Sequence, residues 1–262
     1  MGKKMKRRIW SGDVCEQIVY VMPTGVKDPA SYEPEKIRKE RFKNETAYKK
    51  FLLMISRRNH ARCFNAAFTP GALYGTLTFD NEHEVHTFEE ARKIRDRYWR
   101  RLLRAFPDAV IFIYMGRGKG TDRIHFHIVA EGIPEEVLVG KWKEGKVTHV
   151  RKLRERNFYN GVDCGQDYTG LANYLFDHWT EEVGGHRWKQ TRNAPKPEFE
   201  EPTEVKMPGG YTQTRAPRAP KGSRLIEVVT PEGYELIDSS GTGYGFFYYK
   251  YVKIRAKGRK KE

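Results

Sequence analysis

Two histidines, separated by a single residue, lie in a stretch that alternates apolar and polar residues. Residues 123–130 read RIHFHIVA, and successive side chains of a strand point to opposite faces. His125 and His127 therefore share one face, while Ile124, Phe126, Ile128 and Ala130 share the other. Two imidazoles placed in this way can bind one metal ion. The same pattern also fits an ordinary half-buried strand, so other residues must decide between the two interpretations.

A tyrosine and a third histidine further along the chain could act with this pair. Tyr174 and His178 are four residues apart in a segment with helical spacing, so they lie on one face of the helix. A tyrosine beside a metal-bound phosphate can attack phosphorus and form a covalent phosphotyrosine. Asp177 is adjacent, and Tyr168 is a second tyrosine of the same segment. Each tyrosine, taken alone, is more typical of packing with an exposed hydroxyl than of a nucleophile.

Periodicity predicts the elements that must hold these residues. Residues 46–67 and 88–106 have the apolar spacing of helices, and both helices carry many arginines. Thr87, with Glu90 three residues later, predicts a capping box at the start of the second helix. Strands are predicted at 73–79, 110–115, 123–130 and 146–151, with a short helix at 135–141 and a last helix at 167–179.

The order of these elements is strand, helix, strand, strand, short helix, strand, helix. It predicts an α+β domain of ferredoxin-like (RRM-like) layout, an antiparallel sheet with helices packed on one face. The opposite face would carry Thr76, Thr78, His125 and His127. The two threonines are therefore candidate contacts to a bound nucleic acid.

A glycine-rich basic turn precedes the histidine strand. Residues 116–122 read GRGKGTD, and the strands on either side should form a hairpin. The turn lacks the Gly-Lys-Ser/Thr spacing of a nucleotide P-loop and does not open a helix, so it is not a P-loop. Arg117, Lys119 and Arg123 are instead candidate contacts to a DNA phosphate backbone.

The net charge of +15 over 262 residues is concentrated at the two ends. Residues 1–8 carry five lysines and arginines, and residues 250–262 carry seven with one glutamate, so the ends supply +11 of the total. The net charge favours non-specific affinity for a polyanion such as DNA, and its concentration in the tails weakens that inference. Solubilising tails are the alternative interpretation.

Cysteine usage and hydropathy indicate the compartment. Cys15, Cys63 and Cys164 are far apart and none belongs to a Cys-x-x-Cys pair, which favours a reducing cytoplasm and argues against a structural zinc site. No apolar run reaches bilayer length, and the basic start is not followed by the apolar segment of a signal peptide. The sequence therefore predicts a cytoplasmic protein without a membrane partner.

The remaining segments predict appendages to this core. Residues 1–44 are predicted as a basic arm with one short strand at 13–22, and residues 191–223, rich in Pro and charge, as a linker. Residues 224–262 are predicted as two β-strands and a basic tail. The aromatic residues of the last strand fit either the cover of a sheet edge or the stacking of bases.

Three motifs resemble those of the HUH endonucleases, in the same order. They are Leu-Thr-Phe at 77–79, RIHFHI at 123–128 and LANYLFDHW at 171–179. Within that superfamily the chain is most similar to rolling-circle replication-associated proteins of bacterial plasmids, phages and mobile elements. Residues 118–127 and 184–193 resemble a group from Gram-positive bacteria and their phages. The resemblance implies that residues 45–190 form the catalytic domain.

The resemblance also implies an activity and its participants. His125 and His127 would hold a divalent metal, Mn²⁺ or Mg²⁺ with zinc as an alternative, and Tyr174 would be the nucleophile. The substrate would be single-stranded or cruciform origin DNA, nicked in a sequence-specific way. The tyrosine would keep the 5′-phosphate, and the free 3′-OH would prime rolling-circle replication. Because no helicase ATP site is visible, a host helicase and polymerase would be partners.

The chain departs from the family pattern at two places. Many relatives supply a third metal ligand, often Glu, from the strand before the histidines, but residues 114–116 contain no carboxylate. His178, Asp177, Glu82, His83 or water are candidates for that place. Many relatives also have a lysine three or four residues after the tyrosine, where this chain has Asp177 and His178. We assign Asp177 to the metal, and His178 and the second tyrosine, Tyr168, to catalysis.

Other functions use parts of the same pattern. A transposase or a conjugative relaxase would use the same chemistry. Relaxases, however, usually gather three histidines, and only two are clustered in this sequence. A non-catalytic, RRM-like nucleic-acid-binding protein would use the same sheet face, with neither a metal effect nor cleavage.

Overall fold

The computed structural model describes residues 3–22, 44–118, 123–178, 188–205, 218–229 and 247–255. These residues form an α+β protein whose sheets are antiparallel. None of the described helices is long and apolar enough to cross a membrane. In chain order the elements are β1 (Lys3–Ser11), β2 (Val14–Met22), α1 (Glu45–Ala67), β3 (Leu73–Phe79), α2 (Phe88–Ala105), β4 (Val110–Arg117), β5 (Ile124–Glu131), α3 (Glu135–Gly140), β6 (Gly145–Lys152), β7 (Asn157–Tyr159), β8 (Val162–Gly165), α4 (Thr169–Asp177), β9 (Trp188–Gln190), β10 (Glu198–Phe199), β11 (Thr203–Glu204), β12 (Ser223–Val229) and β13 (Phe247–Lys253).

The chain divides into two compact units. The histidine unit consists of Cys63–Glu155 and Tyr168–Lys196, and the strand unit consists of Met1–Arg62, Arg156–Asp167 and Pro197–Glu262. These bounds differ from the four consecutive segments predicted from the sequence. The reason is that strands far apart in the chain pair in one sheet, which a reading of consecutive segments does not reveal.

The histidine unit contains a five-stranded antiparallel sheet in the order β6-β3-β5-β4-β9. All four predicted strands are present, and β4 and β5 form the predicted hairpin. Thr87 caps α2 as predicted, since its hydroxyl accepts a hydrogen bond from the backbone N–H of Glu90.

One face of this sheet packs against α2 and α3. The alternation predicted for β5 is confirmed, because Ile124, Phe126, Ile128 and Ala130 all lie in this core. Helix α2 contributes a row of buried side chains at helical spacing, namely Phe88, Ala91, Ile94, Tyr98, Trp99 and Leu102. Burying this apolar face fixes which side chains of β5 point to the opposite face.

Helical segments also cover part of the opposite face, which differs from the predicted one-sided layout. Phe64 of α1 and Phe68 just after it contact Phe112 of β4, with ring centroids 6.1 and 4.9 Å apart. Helix α4 buries Leu175 and Phe176. The physical reason lies in β4, which is apolar on both faces, as strands buried on both sides are.

The strand unit contains a sheet in the order β10-β1-β2-β13-β12, and β11 also pairs with β1. Residues 3–11, predicted as part of a basic arm with a strand only at 13–22, form β1 and pair with β2 over its length. The predicted linker is partly wrong, because Glu198–Phe199 and Thr203–Glu204 pair with β1. The predicted strand at 244–252 is present from Phe247 onward; its first residues lie outside the described part of the chain.

A buried ion pair joins α1 to β2 within the strand unit. The guanidinium of Arg62 binds the carboxylate of Glu16, which also accepts a hydrogen bond of 2.9 Å from the hydroxyl of Tyr248. Burial by itself raises the pKa of Glu16, but Arg62, with Arg58 and Lys250, outweighs burial and holds that pKa below its ordinary value. The ionised carboxylate is therefore the form that the fold stabilises.

We expect Arg62→Met to lower the free energy of unfolding at neutral pH by about 3–5 kcal/mol, because it leaves a buried charge uncompensated. Lys50→Met, at an exposed position of the same helix, should change it by less than about 0.5 kcal/mol. Urea unfolding followed by circular dichroism measures both.

Acid should reduce the difference in free energy of unfolding between Arg62→Met and the parent. Because the folded state lowers the pKa of Glu16, its contribution is present above the pKa of the unfolded chain and is lost as pH falls through the folded value. A difference that stays constant or grows in acid would contradict this account.

Candidate metal centre

Strand β5 places both histidines of the pair on the sheet face opposite the α2 core. In the antiparallel ladders, His127 lies between Thr76 of β3 and Tyr114 of β4, and His125 lies between Thr78 and Gly116. The two imidazole centroids are 4.9 Å apart. The predicted sharing of one face is therefore confirmed.

Helix α4 brings the tyrosine and the third histidine to the same place. Its start is held by Asn65, whose amide oxygen accepts a hydrogen bond of 2.7 Å from the backbone N–H of Tyr168. The side-chain amide of Asn65 donates to the hydroxyl of Thr169, 3.1 Å away. Tyr174 and His178 follow on one face, and the N–H of His178 donates to the carbonyl oxygen of Tyr174.

Three imidazoles converge above the sheet. His125, His127 and His178 each offer a ring nitrogen, and these nitrogens all lie within 4.8 Å of one another. The Nε2 atoms of His125 and His178 are 2.8 Å apart. Within the described ranges, no other set of three His, Cys, Asp or Glu side chains is arranged to hold a metal ion. We call these three residues the histidine trio.

Gly116 makes the space that the ring of His178 occupies. A Cβ built on Gly116 would collide with Cδ2 of His178 and lie 3.0 Å from its Nε2. Gly116 is also the β4 residue paired with His125. Gly116 of β4, where the sequence offers no metal ligand, is thus the position over which His178, at the end of α4, lies.

Two hydroxyls orient His127 from behind. Nδ1 of His127 lies 3.0 Å from the hydroxyl oxygen of Tyr74 and 3.1 Å from that of Thr76. A proton on Nδ1 can be donated to either oxygen, which leaves the lone pair on Nε2. That Nε2 atom is buried and has no hydrogen-bond partner in the part of the chain that the structure describes. An oriented imidazole with a free, buried nitrogen is the state of a histidine that ligates a metal.

The trio favours uncharged imidazoles. Burial, with smaller contributions from His125 and His178, lowers the pKa of His127 to about 3. Burial and His178 likewise lower the pKa of His125 below its ordinary value. Metal binding requires the neutral ring, so the donor set fits a metal ion without a preceding loss of protons.

Tyr174 stands at the edge of the trio and reaches solvent. Its ring centroid is 5.9 Å from that of His127 and 5.4 Å from that of His178, and half of its side-chain surface is exposed (50%). The ring of Tyr174 is therefore both close to the trio and open to solvent.

Tyr168, by contrast, is a packing residue at the start of α4. It is buried, its hydroxyl donates to the carbonyl oxygen of Arg154 at 2.9 Å, and its ring contacts Phe64. This environment is typical of a packing residue, and the assignment of Tyr168 to catalysis stays a prediction.

The other candidate ligands lie outside the trio. Asp177, assigned to the metal from the sequence, is exposed and does not belong to the group of converging donors. His178, assigned to catalysis, belongs to it instead. His83 is bonded through Nδ1 to Asp80 at 2.7 Å, and Glu82 is exposed.

The predicted DNA contacts differ in their surroundings. Thr76 faces His127, while the hydroxyl of Thr78 donates to the carbonyl oxygen of Lys146. Arg123 forms a two-pronged ion pair with Glu84, at 2.8 and 3.0 Å. Arg117 lies over the ring of Phe88, 4.9 Å from its centroid. Lys119 lies outside the described residues.

Sequence reasoning missed three residues of the site. Tyr74, two residues before Thr76 on the same strand, was not expected to contact His127. The guanidinium of Arg151, which lies 5.0 Å from the centroid of the Tyr74 ring, was not foreseen. Gly116 was noticed only for its missing carboxylate, whereas the absence of any side chain is the signal that matters.

Comparisons with protein families, curated proteins and solved structures found no match to this chain. We therefore infer function from the geometry of the trio and of Tyr174.

We expect His178→Ala to weaken binding of a divalent metal by at least about tenfold. The variant loses a metal ligand, and loss of a residue that merely hydrogen-bonds to a ligand already lowers metal affinity by about tenfold. Asp177→Asn, one residue earlier and exposed, should bind like the parent. Calorimetric titration of the metal-free protein with Mn²⁺ and with Zn²⁺ measures both. The opposite ranking would return the third ligand to Asp177.

Gly116→Ala should abolish the rise in melting temperature that a bound metal causes, because the new methyl group displaces the ring of His178. Gly75→Ala is the matched control, since a Cβ there would lie 3.4 Å from Val147, an ordinary contact in the same sheet. Thermal unfolding with and without Mn²⁺ or Zn²⁺ measures this. A metal-dependent rise retained in Gly116→Ala would show that the glycine does not serve His178.

Proposed function

We propose that the histidine unit is a metal-dependent DNA nicking and joining domain that initiates rolling-circle replication of a plasmid or phage. The observation that carries the proposal is the convergence of three imidazoles beside the half-exposed ring of Tyr174. The protein would act in the bacterial cytoplasm on single-stranded or cruciform origin DNA, together with the host's helicase and polymerase.

The strand order supports this proposal. Within β3 to β6, the third strand in the chain pairs between the first and second, and the fourth pairs beside the first. That is the strand order of the ferredoxin-like fold, which the HUH resemblance also implies. We therefore propose an HUH-type arrangement, in which β5 presents the histidine pair and α4 the nucleophile.

The donor set suggests which ion the site prefers. Three imidazole nitrogens without a carboxylate suit a transition metal better than Mg²⁺, which prefers oxygen ligands. Mn²⁺ and Zn²⁺ are therefore the ions to test first. A bound ion would act as a Lewis acid on a phosphate oxygen and offset the charge that develops there.

Tyr174 would carry the covalent step. Its hydroxyl oxygen forms a bond to phosphorus, and the bond from phosphorus to the 3′ oxygen of the neighbouring nucleotide breaks. The phenolic proton passes to solvent, and the departing 3′ oxygen takes up one proton, so the charges balance. One phosphodiester replaces another, and attack by a 3′-OH reverses the step and rejoins the strand.

The structure bears on one alternative kept open by the sequence. A relaxase fits the sequence less well because only two histidines are clustered there, but the trio supplies a third from α4. The chemistry is therefore common to both readings, and the substrate distinguishes them. An RRM-like binding protein remains the non-catalytic alternative, and it predicts DNA binding without adduct formation.

We expect Tyr174→Phe to abolish the covalent protein–DNA adduct while leaving DNA affinity within about twofold, because only the attacking oxygen is removed. Tyr168→Phe should still form the adduct, since its hydroxyl is buried against Arg154. Labelled single-stranded oligonucleotides that tile the element's origin, with Mn²⁺ or Zn²⁺, and denaturing gels provide the measurement.

Mass spectrometry of the adduct then identifies the modified residue. An adduct on Tyr168 would move the nucleophile, and metal-independent binding without any adduct would favour the RRM-like alternative.

A further inference from the structure

The hairpin of β7 and β8 exposes two aromatic rings at its tip. Tyr159 and Phe158 are 72% and 66% exposed, more than any other large apolar side chain among the described residues. Val162, across the turn, is 42% exposed. Single exposed apolar residues are ordinary on a protein surface, but two adjacent rings at the end of a hairpin need an explanation.

The tip is rigidly shaped. Asn160 and Gly161 form the two-residue turn with φ of 46° and 78°, the conformation that matches the twist of a hairpin. Tyr159 pairs with Val162, and Phe158 pairs with Asp163. The two rings therefore point to opposite faces of the ribbon.

The base of the hairpin is anchored within the strand unit. The side-chain amide of Asn157 donates to the carbonyl oxygen of Gly165, 3.1 Å away. Gly165 has φ of 55° and packs so close to Val252 that a Cβ would lie 3.1 Å from that side chain. Asp167 pairs with the buried Lys250 at 2.6 Å. An anchored tip loses little conformational entropy when it binds a partner.

Positive charge accompanies the rings. The guanidinium of Arg156 lies 5.8 Å from the centroid of Phe158 and pairs with Asp163. Arg224 pairs with the same carboxylate at 3.2 Å. Two guanidiniums on one carboxylate leave a surplus positive charge beside the aromatic tip.

We propose that this aromatic tip (Phe158 and Tyr159) binds single-stranded DNA by stacking unpaired bases on its two rings. A ring on each face of a narrow ribbon suits separate bases, whereas a protein partner needs a continuous apolar patch. The surplus charge suits a phosphate backbone. The choice of DNA over RNA rests on the proposed function, whereas the proposal that bases stack on these rings is independent of it.

The test uses the full chain without metal, so that cleavage plays no part. Fluorescence anisotropy with labelled oligothymidylate should show that Phe158→Ala/Tyr159→Ala binds about tenfold to a hundredfold more weakly than the parent. Phe199→Ala is the matched control, because Phe199 is an aromatic residue of the same unit that is 51% exposed but lies in β10 and not at the hairpin tip. Its affinity should stay within about twofold of the parent's, as expected where no base stacks.

An oligonucleotide of abasic sites keeps the phosphates and removes the bases. The parent should bind this abasic oligonucleotide about as weakly as the double variant binds oligothymidylate. The double variant should bind duplex DNA with the same affinity as the parent. Equal affinity of parent and double variant for oligothymidylate would overturn the proposal. It would also be overturned if the double variant lost as much affinity for the abasic strand as for oligothymidylate. Stronger binding of oligouridylate than of oligothymidylate would overturn the choice of DNA.

Loss of self-association in the double variant, with DNA binding intact, would also overturn the proposal and identify the tip as a contact between copies of the chain. Adduct formation by Tyr174 is measured in a separate assay with metal. Failure of the nicking activity and failure of base stacking are therefore distinguishable.

Discussion

The register between β4 and β5 is the constraint on which the candidate site depends. It pairs Gly116 with His125 and Tyr114 with His127. A slip of one residue would turn the histidines into the core and bring Phe126 to the site. Phe126 is fully buried against α2 and α3, so such a slip would expose a large ring and bury two imidazoles. The polar face is thus specified by the packing of the apolar face.

Local pattern sufficed for the strands, for α2 with its cap, and for the shared face of His125 and His127, because each depends on residues close in sequence. It failed where a residue acts on a distant element. Nothing near Gly116 indicates that the ring of His178 lies over it. The basic composition of residues 3–11 suggested an arm, but pairing with β2 and with two later strands makes it part of a sheet.

The trio draws its members from two elements, and this couples binding to catalysis in the proposed mechanism. Strand β5 supplies two imidazoles on a rigid ladder, whereas α4 supplies His178 one helical turn after Tyr174. An ion held by all three would also fix the last turn of α4. The position of the nucleophile would then depend on occupancy of the metal site, even though Tyr174 need not touch the ion.

The strand order of the strand unit has a consequence for the time course of folding. β13 lies between β2 and β12, and its Tyr248 bonds to Glu16, 232 residues earlier in the chain. During synthesis β1 and β2 can form a hairpin early, but their sheet is incomplete until the ribosome has released β13. Sheets closed by such distant contacts form slowly. Until then, β2 presents an unpaired edge that invites association with other nascent chains, a hazard that chaperones bound to that edge would relieve.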